Sequence, residues 1–105
     1  MNTTTTTTTT APHFGSVADI MRADEAAGFF FFLPSTMRYF GCRVSRQLFG
    51  GRFFVTSEQE GGRVWGGARR YTVREATAAG IDTVGEFGQY DTLAQAIAAA
   101  KAAAL

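Results

Sequence analysis

Few residues in this chain are of a type that does chemistry, and their spacing limits each of them. His13 is the only histidine and Cys42 the only cysteine in 105 residues. His13 adjoins a threonine run, Thr3 to Thr10, so a Cys42–His13 or Ser–His nucleophile pair would need an ordered geometry that such a segment does not supply. Cys42 reads instead as a small buried hydrophobe. Asp24 and Glu25 are adjacent on a predicted helix and point apart, while Glu58 and Glu60 fall in a predicted glycine-rich loop, so neither pair suits acid–base work. The stretch Gly61 to Gly67 lacks the Lys-Ser/Thr of a phosphate loop, and no helix follows it. A lone cysteine excludes an internal disulfide, and no Cys/His cluster has the spacing of a zinc site. The expectation is a protein with no catalytic residues, cofactor or metal.

Charge layout is more informative than its total. The net charge is +1. Residues 1–37 carry −2, residues 38–74 carry +6 and residues 75–105 carry −3. The basic middle interleaves arginines with aromatics: Arg38-Tyr39-Phe40, Arg43, Arg46, Phe49, Arg52-Phe53-Phe54, Arg63-Val64-Trp65, Arg69-Arg70-Tyr71 and Arg74. Two candidate partner-binding surfaces follow. One is a sheet face carrying Arg43, Arg52, Phe54, Arg70 and Arg74, with guanidinium groups for phosphates and rings for base stacking, as single-strand binders use. The other is the loop holding Arg63 and Trp65 between glycine pairs, a composition found at interaction hot spots. Each has a plainer reading. Nine arginines to one lysine, with 17 alanines and 12 glycines, fits GC-rich coding. Phe49 and Phe54 also fit a second hydrophobic layer under the N-terminal helix, and Trp65 fits as a cap folded back on the sheet. A pI near 7.9 lacks the strong basic balance of a dedicated nucleic-acid binder.

The elements that must position these groups come from periodicity and punctuation. Residues 1–12, dominated by threonine, have no amphipathic period and read as a disordered tail, leaving 13–105 as one small domain. Ser16 to Ala27 reads as a helix capped by Ser16, with Asp19 three residues on and Gly28 ending it. Phe29 to Leu33 reads as a short buried strand or extended packing segment before Pro34, followed by a helical turn capped by Ser35 or Thr36. Strands are predicted at Arg43–Phe49, Arg52–Ser57, Arg69–Arg74 and Ile81–Phe87, with Gly50-Gly51 as a two-residue hairpin turn. That turn pairs Phe49 with Arg52. It puts Val44, Leu48, Phe53 and Val55 on one face and Arg43, Phe49, Arg52 and Phe54 on the other, with Tyr71 and Val73 inward and Arg70, Thr72 and Arg74 outward. Asp91 is predicted to cap an alanine-rich helix, Thr92–Leu105, whose stripe is Leu93, Ile97, Ala100 and Ala104. The fold class is α+β: N-terminal helix, short extended segment and helical turn, four-stranded antiparallel meander, C-terminal Ala-rich helix.

The segments Phe31-Phe32-Leu33-Pro34-Ser35-Thr36-Met37-Arg38-Tyr39-Phe40-Gly41, Gly51 to Glu58, Arg69 to Arg74 and Ile81 to Phe87 resemble, in order, a family of short uncharacterised proteins of actinobacterial phages and related mobile elements. The resemblance spans residues 16–105. It implies no activity; it implies a setting in which small non-catalytic proteins bind host factors, nucleic acid or virion components. The expected function is therefore a small non-enzymatic, phage-encoded binding protein. Its partner is a host or phage protein, with nucleic acid on the same basic-aromatic face as the alternative and a virion structural or assembly role as a third. No apolar run approaches the roughly 18 residues that span a bilayer, and no secretory signal is visible, so the expected location is the host cytoplasm without membrane contact.

Overall fold

The computed structural model describes residues 12–62 and 67–105. The threonine run, Arg63 and Trp65 lie outside the described residues. The architecture is α+β, with three helices and a four-stranded antiparallel sheet. Helix α1 spans Val17–Ala27. Ser16 Oγ accepts the Asp19 N–H at 3.1 Å, which satisfies one of the donors that a helix start leaves open. The phenylalanines after it do not form a strand. Phe30 to Leu33 close a turn in which the Leu33 N–H donates to the Phe30 carbonyl at 3.2 Å. Pro34 then starts α2 (Pro34–Phe40), its fixed φ and missing N–H suiting the first helical position. Leu33 takes the cap position expected of Ser35 or Thr36, and makes no side-chain cap bond.

Strands β1 (Arg43–Val44), β2 (Phe53–Gln59), β3 (Arg69–Thr77) and β4 (Gly80–Val84) pair in chain order as a meander. The outer strands are shorter than predicted. After Val44 the chain leaves the ladder and returns only at Phe49, which bridges to Phe53. Gly50 and Gly51 have φ of 59° and 75°, as a tight turn demands, but the turn also takes in Arg52. Phe49 therefore pairs with Phe53 and not with Arg52. A slip of one residue exchanges sheet faces. Phe49 joins Phe53 and Val55 on one side, while Val44 and Leu48 join Phe54 on the other, the reverse of the predicted grouping.

Both faces of the sheet are covered. Helix α3 (Leu93–Ala103) lies over Phe53, Val55 and Val73, approaching closely because its buried positions are Ala96 and Ala100. Thr92 caps it in place of Asp91, accepting the Gln95 N–H at 3.2 Å and completing a capping box. Leu93, predicted on the buried stripe, is exposed. On the opposite face α1 packs Val17 and Ile20 over Phe54 and Ala76. Phe54 is 0% exposed, and burying its ring contributes roughly 1.5–3 kcal/mol. No helix among the described residues is long and apolar enough to cross a membrane.

Candidate functional site

The α1 side of the sheet changes character along β2 and β3. Near α1 it is apolar, with Phe54 and Ala76; toward α2 the same face carries Thr56, Glu58, Thr72 and Arg74. Glu58, predicted to lie in a loop, belongs to β2 and is 3% exposed, while Arg74, predicted outward, is 6% exposed. Two charges at such depth are tolerated only if paired and hydrogen-bonded, and here they are. Glu58 Oε1 accepts Thr72 Oγ1 at 3.0 Å. Its Oε2 accepts Thr56 Oγ1 at 2.6 Å and Arg74 Nη2 at 3.0 Å, with Cys42 Sγ at 3.7 Å. Arg74 also donates from Nε to Thr56 Oγ1 at 3.0 Å and from Nη1 to Thr83 Oγ1 at 2.6 Å. Its Cζ lies 5.0 Å from the centroid of Phe31 and 5.5 Å from that of Phe87, within cation–π range of both.

This seam forms the floor of a cleft of about 190 Å³. Phe31, Met37, Phe40 and Phe87 wall it, and Cys42 reaches it from the end of α2. Phe87 is 55% and Tyr39 63% exposed, and Phe40 is also exposed. The three rings touch in series at the rim, with centroids 4.9 Å apart for Tyr39–Phe40 and 6.3 Å for Phe40–Phe87.

Two consecutive arginines of β3 pin the walls. Arg69 Nη1 donates to the Gly41 carbonyl at 2.9 Å and to Ser57, holding the end of α2 against the sheet. Arg70 holds the segment after β4. That segment leaves the sheet at Gly85, carries Phe87 over Arg74 and rejoins it at Tyr90, bridged to Tyr71. Arg70 Nε donates to the Gly88 carbonyl at 2.8 Å and Nη2 to the Gln89 carbonyl at 3.2 Å, and Nη1 pairs with Asp91. Gly88, at φ 65°, brings its N–H to Thr72 Oγ1 at 2.8 Å. Thr72 thus links Glu58 to the loop that presents Phe87.

The setting of Cys42 disfavours its thiolate, the form that attacks. Burial, reinforced by the Glu58 carboxylate, pushes its thiol up to about 12, so at neutral pH it is an S–H group. His13 lies against the Gly50-Gly51 turn at the start of β2, whereas Cys42 meets Glu58 near the other end of the strand.

The predicted site residues do not share one open face. Arg43 is exposed at the β1 edge. Arg52 is half-buried on the α3 side, 2.9 Å from Glu75 and over the Phe53 ring. Phe54, predicted as a stacking platform, is buried under α1 with Phe32 stacked on it at 6.3 Å. Arg70 is a tether and Arg74 the cleft floor. The remaining two candidates, Arg63 and Trp65, fall outside the described residues. Glu58, Cys42, Phe31, Phe40 and Phe87 went unpredicted as a group. The usable signal was Thr-x-Glu at 56–58 and Thr-x-Arg at 72–74, polar alternation on two strands whose intervening residues are apolar or small.

Residues 16–101 match a family of unknown function, DUF7447. The chain belongs to this family. Comparison with curated proteins and with solved structures finds no match.

Proposed function

We propose that this DUF7447 member is a small non-enzymatic binding protein that grips a protein partner with the cleft over Glu58–Arg74 and its aromatic rim. The observation that carries this reading is the rim itself. Three exposed rings stand in series, Tyr39 against Phe40 and Phe40 against Phe87, and the last two line a concave site. Exposed, clustered aromatics are what interaction surfaces concentrate. The floor supports the same reading. A buried ion pair is a weak stabiliser compared with apolar packing, so its presence beneath an open cleft is better suited to recognition than to holding the fold. The phage setting suggested by the resembling segments, and with it a host or phage protein as partner, belongs to this proposal.

The nucleic-acid alternative loses its stacking platform with Phe54 buried, but Arg38, Arg43 and Arg46 are exposed and form no ion pair among the described residues. The two readings separate in one experiment. The protein and its Tyr39→Ala and Phe87→Ala variants are used to capture material from extract of the source cell at low and high salt. A protein retained by the parent in both salts and lost with both variants supports the rim. Retention unaffected by either variant, or capture of nucleic acid that falls steeply with salt and survives both, overturns it.

A further inference from the structure

We infer that the protein partner lays an acidic segment, a run of Asp or Glu carboxylates, along two basic hollows that adjoin the cleft. The inference rests on the cleft as the docking site for a protein. Met37 and Cys42 line both the cleft and a second hollow of about 320 Å³, to which Arg38, Arg43 and Arg69 also contribute. Arg43 and Arg69 in turn line a third hollow, of about 260 Å³, with Ser45, Ser57 and Tyr71. The three therefore follow one another from the cleft, past the end of α2, to the β1 edge of the sheet.

The charge along this track is not neutralised from within. Arg38, Arg43 and Arg69 belong to none of the ion pairs among the described residues, which hold every Asp and Glu of the chain. Among those residues no carboxylate lines either basic hollow. Glu58 and Asp91 are taken by Arg74 and Arg70. Arg69 donates to neutral acceptors, the carbonyl of Gly41 and the carbonyl and hydroxyl of Ser57, so its position is fixed while its charge is left uncompensated. A side chain already held in place loses little freedom on binding, and arginine–carboxylate hydrogen bonds are among the stronger ones. Like charges gathered without a counter-charge repel, and an anionic partner relieves that cost.

Charge spread over three side chains and two hollows matches single charges repeated along a chain, not one compact dianion. A nucleic acid also repeats its charge, but single strands are held by rings that stack their bases. Among the described residues the basic hollows hold one ring, Tyr71, which is half-buried and bridged to Tyr90. An acidic peptide needs no such platform, and it continues directly from a side chain seated in the cleft.

The test uses acetylated, amidated hexaglutamate as the probe, with hexathymidylate and inorganic phosphate beside it. Binding to the full chain is followed by NMR at the backbone amides of Gly41, Arg43 and Arg69. The expected result is saturable hexaglutamate binding at these amides. It should be weakened about tenfold by Arg38→Gln/Arg43→Gln, about threefold for each exposed arginine–carboxylate contact, and left unchanged by Arg22→Gln on α1. Hexaglutamate shifts located elsewhere, no weakening in the double variant, or tighter binding of hexathymidylate or phosphate at the same amides would overturn the inference. A protein captured through Tyr39 and Phe87 that the Arg38→Gln/Arg43→Gln variant retains undiminished at low salt overturns this inference and spares the rim. Hexaglutamate binding at these amides without rim-dependent capture supports the acidic chemistry of the hollows and removes the cleft-docking reading.

Discussion

Replacing Arg74 with methionine keeps a long, flexible, apolar side chain in place while stranding Glu58. The variant deletes three hydrogen bonds, to Thr56, Thr83 and Glu58, and leaves a carboxylate 3% exposed with only hydroxyl and thiol donors. Breaking one side of a buried pair costs about 3–5 kcal/mol. Against a total of roughly 5–15 kcal/mol for a domain, that is a large fraction, and it corresponds to a fall in melting temperature of about 12–40 °C. Glu58→Met strands Arg74 and should cost a comparable amount. The double variant removes both charges, so its loss should fall short of the summed single losses by at least about 2 kcal/mol. Urea unfolding followed by circular dichroism, with the slope of free energy against denaturant held constant across the set, measures the cycle. A single-variant loss below about 1 kcal/mol, or additive losses, would refute the reasoning, because exposed and independent charges behave that way.

Three smaller perturbations probe other parts of the account. Burial raises the pKa of Asp24, so its charged form disfavours the native state; stability should rise as pH falls through that raised value, and Asp24→Asn should be more stable than the parent at neutral pH, a gain that fades as the solution is acidified in urea melts. With its thiol pushed up to about 12, Cys42 should react with iodoacetamide at pH 8 at least about a hundredfold more slowly than free cysteine, and at the free rate once the domain is unfolded in urea. Gly51 has φ of 75° and the His13 ring packed where a Cβ would stand, so Gly51→Ala should cost about 2 kcal/mol or more in thermal unfolding, partly relieved by His13→Ala.

What could be read from the sequence was whatever local rules govern. Ser16 announces α1, the alanine run announces α3 although its cap falls on Thr92 and not on Asp91, and Gly50-Gly51 announces a turn, because capping, propensity and positive φ act over a few residues. Register was not legible. Nothing local distinguishes a turn of Gly50-Gly51 from one that also takes in Arg52, yet that one residue decides which side of the sheet Phe49 and Val44 occupy. The candidate site was hidden for the same reason. Glu58 and Arg74 meet only because β2 and β3 pair Phe54 with Arg74 and Thr56 with Thr72. The phenylalanine run misled as a strand because its rings point in three directions, Phe32 inward on Phe54, Phe31 over Arg74 and Phe30 outward into solvent. Arginine, read as a solvated charge, instead pins the two cleft walls through Arg69 and Arg70.

Photo-crosslinking inside the source cell tests the central claim most directly. With p-benzoylphenylalanine at position 39 on the rim, or at position 98 on the exposed side of α3, the account predicts one dominant protein adduct from position 39 and none from position 98. Adducts of equal yield from both positions, or a dominant adduct from position 98 alone, would contradict it.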